Sequence, residues 1–152
     1  MTEHASPLTR RHFLRTATAG AAVAVGTVVL ASADASAGDS RIERRIDLAA
    51  TANGRKIDAS GHARIRSSSG REDFTVEVEA RVKAGTRYTV YVTNGGSTYK
   101  AGTIRISSIG EGELELKNYD GQRLPSGVSP VTGIRKVTVQ DSAGRTILSG
   151  SF

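Results

Sequence analysis

The sequence predicts an all-β fold: an antiparallel β-sandwich or small closed β-barrel of about eight strands, preceded by a short leader. Three observations carry this reading. From Arg41 onward, apolar residues recur at alternate positions, the period of a strand with one buried face. Clusters of Gly, Asn, Asp and Ser break the alternation about every eight to twelve residues, as turns do in an all-β domain. No segment in this region keeps an apolar stripe at the helical period.

In chain order, Arg41 to Ala50 brings Ile42, Ile46 and Leu48 to a first strand, and Gly61 to Ser67 brings Ala63 and Ile65 to a second. The clearest strand is Asp73 to Lys83. Phe74, Val76, Val78, Ala80 and Val82 face one way, and Thr75, Glu77, Glu79, Arg81 and Lys83 the other, so one face is core and the other is water. Ala84-Gly85-Thr86 is a tight connection into Arg87 to Thr93, where Tyr88, Val90 and Val92 alternate with Thr89, Tyr91 and Thr93. These two strands are expected to pair as a hairpin.

Asn94-Gly95-Gly96 turns the chain into Thr98 to Ser107, which carries Ile104 and Ile106. Ile109-Gly110 leads to Glu111 to Lys117, with Leu114 and Leu116 opposed by Glu113, Glu115 and Lys117. Asn118 to Ser129 is rich in turn formers and is the longest irregular segment. Val131 to Gln140, the turn Asp141-Ser142-Ala143-Gly144, and Arg145 to Phe152 close the domain as a last hairpin. A flat open sheet would leave long edges free to pair with other chains, which favours two layers or closure.

Four of these segments form an ordered set: Phe-x-Val-x-Val at Phe74 to Val78, Ala-Gly-Thr-x-Tyr-x-Val at Ala84 to Val90, Gly-x-Leu-x-Leu at Gly112 to Leu116, and a closing run from Val139 to Phe152. The set resembles a class of small β domains of unassigned function in exported bacterial proteins. The resemblance implies a fold and no chemistry.

Ahead of the domain stands Thr9-Arg10-Arg11-His12-Phe13-Leu14-Arg15, followed by a soft apolar run from Ala17 to Leu30 and small residues from Ala31 to Ala37. The motif residues Arg10, Arg11, Phe13 and Leu14 resemble the twin-arginine (Tat) export signal. The resemblance implies recognition by the Tat translocase and passage of an already folded chain to the periplasm, the cell wall or the exterior. Three small-x-small triplets end at Ala33, Ala35 and Ala37, and a cut after Ala37 gives residues 1–37 as signal peptide and 38–152 as one all-β domain. The apolar run is shorter than the roughly 18 residues that read as a membrane span, so no span is expected after cleavage. An uncleaved leader acting as an anchor is the lesser alternative.

The chain has no cysteine, and its only methionine is Met1. Stability must therefore come from burial and backbone pairing, without disulfides. Haem, copper and iron-sulfur ligation lack their ligands, and His62 is the one histidine after the leader, too few for a catalytic zinc site. No cofactor or metal is expected. The loops Asp120-Gly121 and Asp141 to Gly144 suit weak calcium binding by type, but Asp and Gly are also what such turns require.

Catalysis would have to use His62 with a serine or carboxylate, and no Gly-x-Ser-x-Gly elbow is present. Glu111, Glu113 and Glu115 share one strand face, and their alternation with leucine points them to solvent instead of into a cleft. Tyr91 and Tyr99 are a conceivable two-ring sugar platform, set against ordinary cross-strand packing. No aromatic-interleaved basic motif of the single-strand nucleic-acid type appears.

Charge is the remaining clue. Residues 38 to 71 carry eight basic and four acidic side chains, whereas the rest of the domain is nearly balanced. A basic field attracts anionic surfaces. The expectation is therefore a non-enzymatic binding or structural module, with Arg41, Arg44, Arg45, Arg64 and Arg66 contacting an anionic envelope polymer or a protein partner. The alternatives are a small hydrolase or lyase using His62, and an assembly subunit joined by strand addition at an open edge.

Overall fold

The computed structural model describes residues 40–152. The leader, with Arg10, Arg11, Phe13, Leu14 and the cut after Ala37, lies outside them. The described residues form two antiparallel sheets packed as a sandwich. One sheet holds β1 (Ile42–Asp47), β3 (Ser60–Ser68), β4 (Arg71–Glu79) and β7 (Glu111–Lys117), in the order β1-β3-β4-β7. The other holds β2 (Ala49–Ala50), β5 (Arg87–Asn94), β6 (Ser97–Arg105), β8 (Ile134–Gln140) and β9 (Thr146–Ser151), in the order β2-β9-β8-β5-β6. The sheets do not close on each other, so the sandwich stands and the barrel alternative falls.

The alternation read from the sequence sets the core. Ile65, Phe74, Val76 and Val78 of the four-stranded sheet, and Val90, Val92, Ile104, Val137, Val139 and Leu148 of the five-stranded one, are essentially inaccessible to solvent. Each such side chain contributes on the order of 1.5–3 kcal/mol of burial free energy. Two-residue turns join β3 to β4 through Ser69-Gly70, and β5 to β6 through Gly95-Gly96. Gly95 (φ 58°) and Gly96 (φ 84°) are both left-handed, as the turn matching strand twist requires. The last hairpin, β8 to β9, is as expected.

Two expectations are corrected. The segment Asp73 to Lys83 does not pair with Arg87 to Thr93. Its strand ends at Glu79 and pairs with β3 and β7, while β5 pairs with β6 and β8 in the opposite sheet. The alternation persists to Val82, but past Glu79 the backbone bonds to the segments that lead into β7 and β3, Ala80 N to Gly110 O and Arg81 N to Ile57 O, before the chain passes to β5 in the other sheet.

The first strand, Arg41 to Ala50, is two strands. Leu48, only 4% exposed, is the crossing point between β1 and β2. Its amide donates to Gly61 O. This split raises the count from about eight strands to nine among the described residues.

Tyr91 and Tyr99 do not form a platform. Tyr99 pairs with the buried Val92 and packs on the core, whereas Tyr91 pairs with Lys100 on the outer face. The bulge between Val90 and Tyr91 shifts the register of β6 and so reverses the face its later residues take.

Helix is confined to one turn at Ala52–Arg55 (α1) and a 3-10 turn at Val131–Gly133 among the described residues. Thr51 caps α1, accepting from Gly54 N at 3.3 Å and donating to Thr146 O at 2.6 Å. The irregular segment after β7 is held by buried polar side chains. Asn94 Nδ2 donates to the carbonyls of Gly127, Val128 and Pro130, and Glu72 accepts from Ser129 Oγ and Val131 N.

Candidate functional site

The pairing registers of β1, β3, β4 and β7 set the outward side chains of the four-stranded sheet in rows. Asp47, His62, Glu77 and Glu113 form one row. Next come Arg45, Arg64, Thr75 and Glu115, then Glu43, Arg66, Asp73 and Lys117. At one end Glu79 lies opposite Glu111. Charge is therefore largely sorted by strand: β1 and β3 carry most of the outward arginines, and β4 and β7 most of the glutamates.

The structure brings Arg45, Arg64 and Arg66 onto this outer face, with Arg41 just ahead of β1. Glu43 serves two of these cations, meeting Arg66 Nε at 3.1 Å and Arg41 Nη2 at 3.5 Å. Arg45 lies directly opposite Arg64, and among the described residues neither makes an ion pair. Arg64 Nε is buried with no hydrogen-bond acceptor. Thr75, next in the row, is only 3% exposed although it is on the outward side, so long charged side chains lie flat across the middle of this face.

Arg44 belongs elsewhere. It is paired with the core residue Ile65, its Nη2 donates to Thr132 O at 2.6 Å, and its guanidinium lies 5.7 Å from the centre of the Phe152 ring. It ties β1 to the 3-10 turn and to the chain end. The sequence groups it with Arg45, but the alternation of a strand sends neighbours to opposite faces.

The acidic half is the part the sequence reasoning missed as a unit. Glu77 and Glu79 on β4 and Glu111, Glu113 and Glu115 on β7 converge, with Glu77 directly opposite Glu113. The available signal was glutamate at spacing two in two separate segments, but only the register joins them. The two cations of this half are drawn to its far corner. Arg71 and Lys117 lie over the ring of Tyr119 at 5.7 and 5.4 Å, and Tyr119 Oη donates to Asp73. Burial, then the Asp73 carboxylate, pushes the Tyr119 phenol up.

His62 sits where the halves meet. Its Nε2 is 3.2 Å from Glu77 Oε1, at a cleft of about 460 Å³ that also receives Glu79, Glu111, Glu113, Arg105 and Ser107. Ser107 Oγ accepts the Glu111 amide. The pair holds an imidazole against a carboxylate in a water-accessible groove, an arrangement able to move a proton or to fix a cationic group.

The two turn aspartates are occupied by local contacts. Asp141 accepts from the amides of Ala143 and Arg145 and from Arg145 Nε, and Asp120 lies 3.7 Å from Lys117 Nζ. Among the described residues no group of three or more His, Cys, Asp or Glu side chains is placed to hold a metal ion, and no helix is long and apolar enough to cross a membrane. Compared with protein-family models and with curated proteins, the chain matches none.

Proposed function

We propose that this protein is an exported, non-enzymatic β domain that works by surface contact, taking an anionic polymer of the cell envelope on the arginine half of its four-stranded sheet. The observation that carries the reading is the Arg45–Arg64 pair: two arginines at directly opposite positions of neighbouring strands, with no carboxylate partner among the described residues and the Arg64 Nε buried without an acceptor among them. Like charges facing each other across a strand pair are destabilising, and a bound anion relieves them. Arg41 and Arg66 extend the patch along the same face. The twin-arginine-like leader supports placement outside the cytoplasm.

The test is retention of the purified protein on an immobilised sulfated polysaccharide and on envelope material. Binding should fall steeply between about 50 and 200 mM salt, as counterion release requires, and Arg45→Ala with Arg64→Ala should abolish most of it. Retention indifferent to salt or to this double variant would overturn the reading. Export is tested by Arg10→Lys with Arg11→Lys, which should leave the chain in the cytoplasm.

The His62–Glu77 pair in its cleft favours a second reading, a small hydrolase or lyase. An His62→Ala variant that keeps every measured activity removes it.

A further inference from the structure

We propose that the outer face of the four-stranded sheet is self-complementary and docks a second copy of this chain. This goes beyond the polyanion reading, because it also uses the acidic half, to which that reading assigns no role.

The argument starts from how charge is sorted by strand. Counting outward side chains, β1 and β3 hold Arg45, Arg64 and Arg66 against Glu43 and Asp47, while β4 and β7 hold six carboxylates against Arg71 and Lys117. Of the five glutamates, Glu77 alone is ion-paired among the described residues, to His62. A surface with one positive and one negative half is matched by its own copy turned over, provided a two-fold axis exchanges the halves.

An axis along the strands, between β3 and β4, does this. It sets β1 over the other copy's β7 and β3 over its β4, with each row meeting the same row. Arg45 then meets the partner's Glu115, Arg66 the partner's Asp73, His62 the partner's Glu77, and Glu43 the partner's Lys117. Asp47 against the partner's Glu113 is the one like-charge meeting, and it lies beside His62. The flat middle row, where Arg64 and Thr75 are already partly covered, falls at the centre.

Area decides the strength. Four strands about 4.8 Å apart and nine residues of about 3.4 Å rise give a face of roughly 500 Å² per copy. The total, near 1,000 Å², is at the lower limit for a specific interface. Twist splays the corners and leaves the central rows dominant. The dimer is therefore weak, reversible and salt-sensitive, and polyanions compete with it for Arg45 and Arg64.

Sedimentation velocity of the purified full chain tests this through two exposed positions, Arg45 and Glu115. In low salt the wild type should shift from monomer to dimer with rising concentration, and should lose that shift in high salt. Arg45→Glu and Glu115→Arg should each stay monomeric, since each places like charges together twice per dimer. Their equimolar mixture should regain the dimer mass, because the heterodimer restores both contacts.

A wild type that stays monomeric in low salt overturns the proposal. So does a dimer that either variant leaves intact, or a mixture that stays monomeric while both variants keep the wild-type far-UV spectrum and unfolding midpoint. Polysaccharide retention separates the two readings: Glu115→Arg should keep it or raise it, and Arg45→Glu should weaken it, whether or not a dimer forms.

Discussion

Glu72 and Val131 stand 59 positions apart in the chain, and the Val131 amide donates to Glu72 Oε1 at 3.0 Å. The second carboxylate oxygen accepts from Ser129 Oγ at 2.5 Å, and the Glu72 backbone exchanges bonds with Asn118, whose Oδ1 accepts its amide and whose amide donates to its carbonyl. One residue, 8% exposed, thus fixes both ends of the long segment, the Asn118 end through its backbone and the Ser129–Val131 end through its side chain.

Glu72→Ala should therefore destabilise the fold by about 2–4 kcal/mol, since it strands a buried amide and a hydroxyl. Glu72→Gln, which keeps an acceptor, should lose less. Urea unfolding measures both, and limited proteolysis should cut first between residues 118 and 130.

Gly127 holds the same segment against the five-stranded sheet. Its φ is +80°, and a Cβ there would overlap the Tyr99 ring. Gly127→Ala should cost at least the ~1–2 kcal/mol of the left-handed backbone, plus the displacement of the ring. In a Tyr99→Ala background the added cost should shrink toward the backbone part alone, a coupling that a double-mutant cycle reads directly.

Arg44→Ala should lower stability by on the order of 1 kcal/mol through loss of the Thr132 carbonyl contact and of packing on Phe152. It should leave polysaccharide retention unchanged when measured well below the melting temperature. Arg45→Ala should do the reverse. The two neighbours differ only in the face their strand gives them.

Asp141 contributes to the acid limb. Burial pushes its carboxyl up, but the Arg145 amide and guanidinium and the Ala143 amide pull it down by more, so it titrates below its ordinary value of 3.8. A carboxyl depressed in the folded state contributes stability above the unfolded value, and that contribution is lost as pH falls through the folded pKa. Asp141→Asn should be less stable than wild type near neutrality, and the difference should narrow as the pH drops below 3.8. Thermal melts across that range test it.

The sequence by itself determined the fold class, the buried face of the strands without a bulge and the turn at Gly95-Gly96, because strand period and turn chemistry are local. It also placed Glu113 and Glu115 in solvent, since they alternate with leucine. Only the tertiary structure decided which strands share a sheet. Alternation through Val82 looks the same whether the chain folds back or crosses over, and the pairing of β4 with β3 and β7, and of β5 with β6 and β8, settles it. The candidate site divides the same way. Arginine near the start of the domain was legible, and strand alternation alone puts Arg44 and Arg45 on opposite faces, whereas the placing of Arg45 across from Arg64 and of Arg44 against Thr132 and Phe152 depended on the tertiary structure. The acidic field opposite them needed Glu77 and Glu113, from distant segments, to become neighbours. Cross-strand partners are chosen by packing between sheets, and that choice is not written in any single stretch of chain.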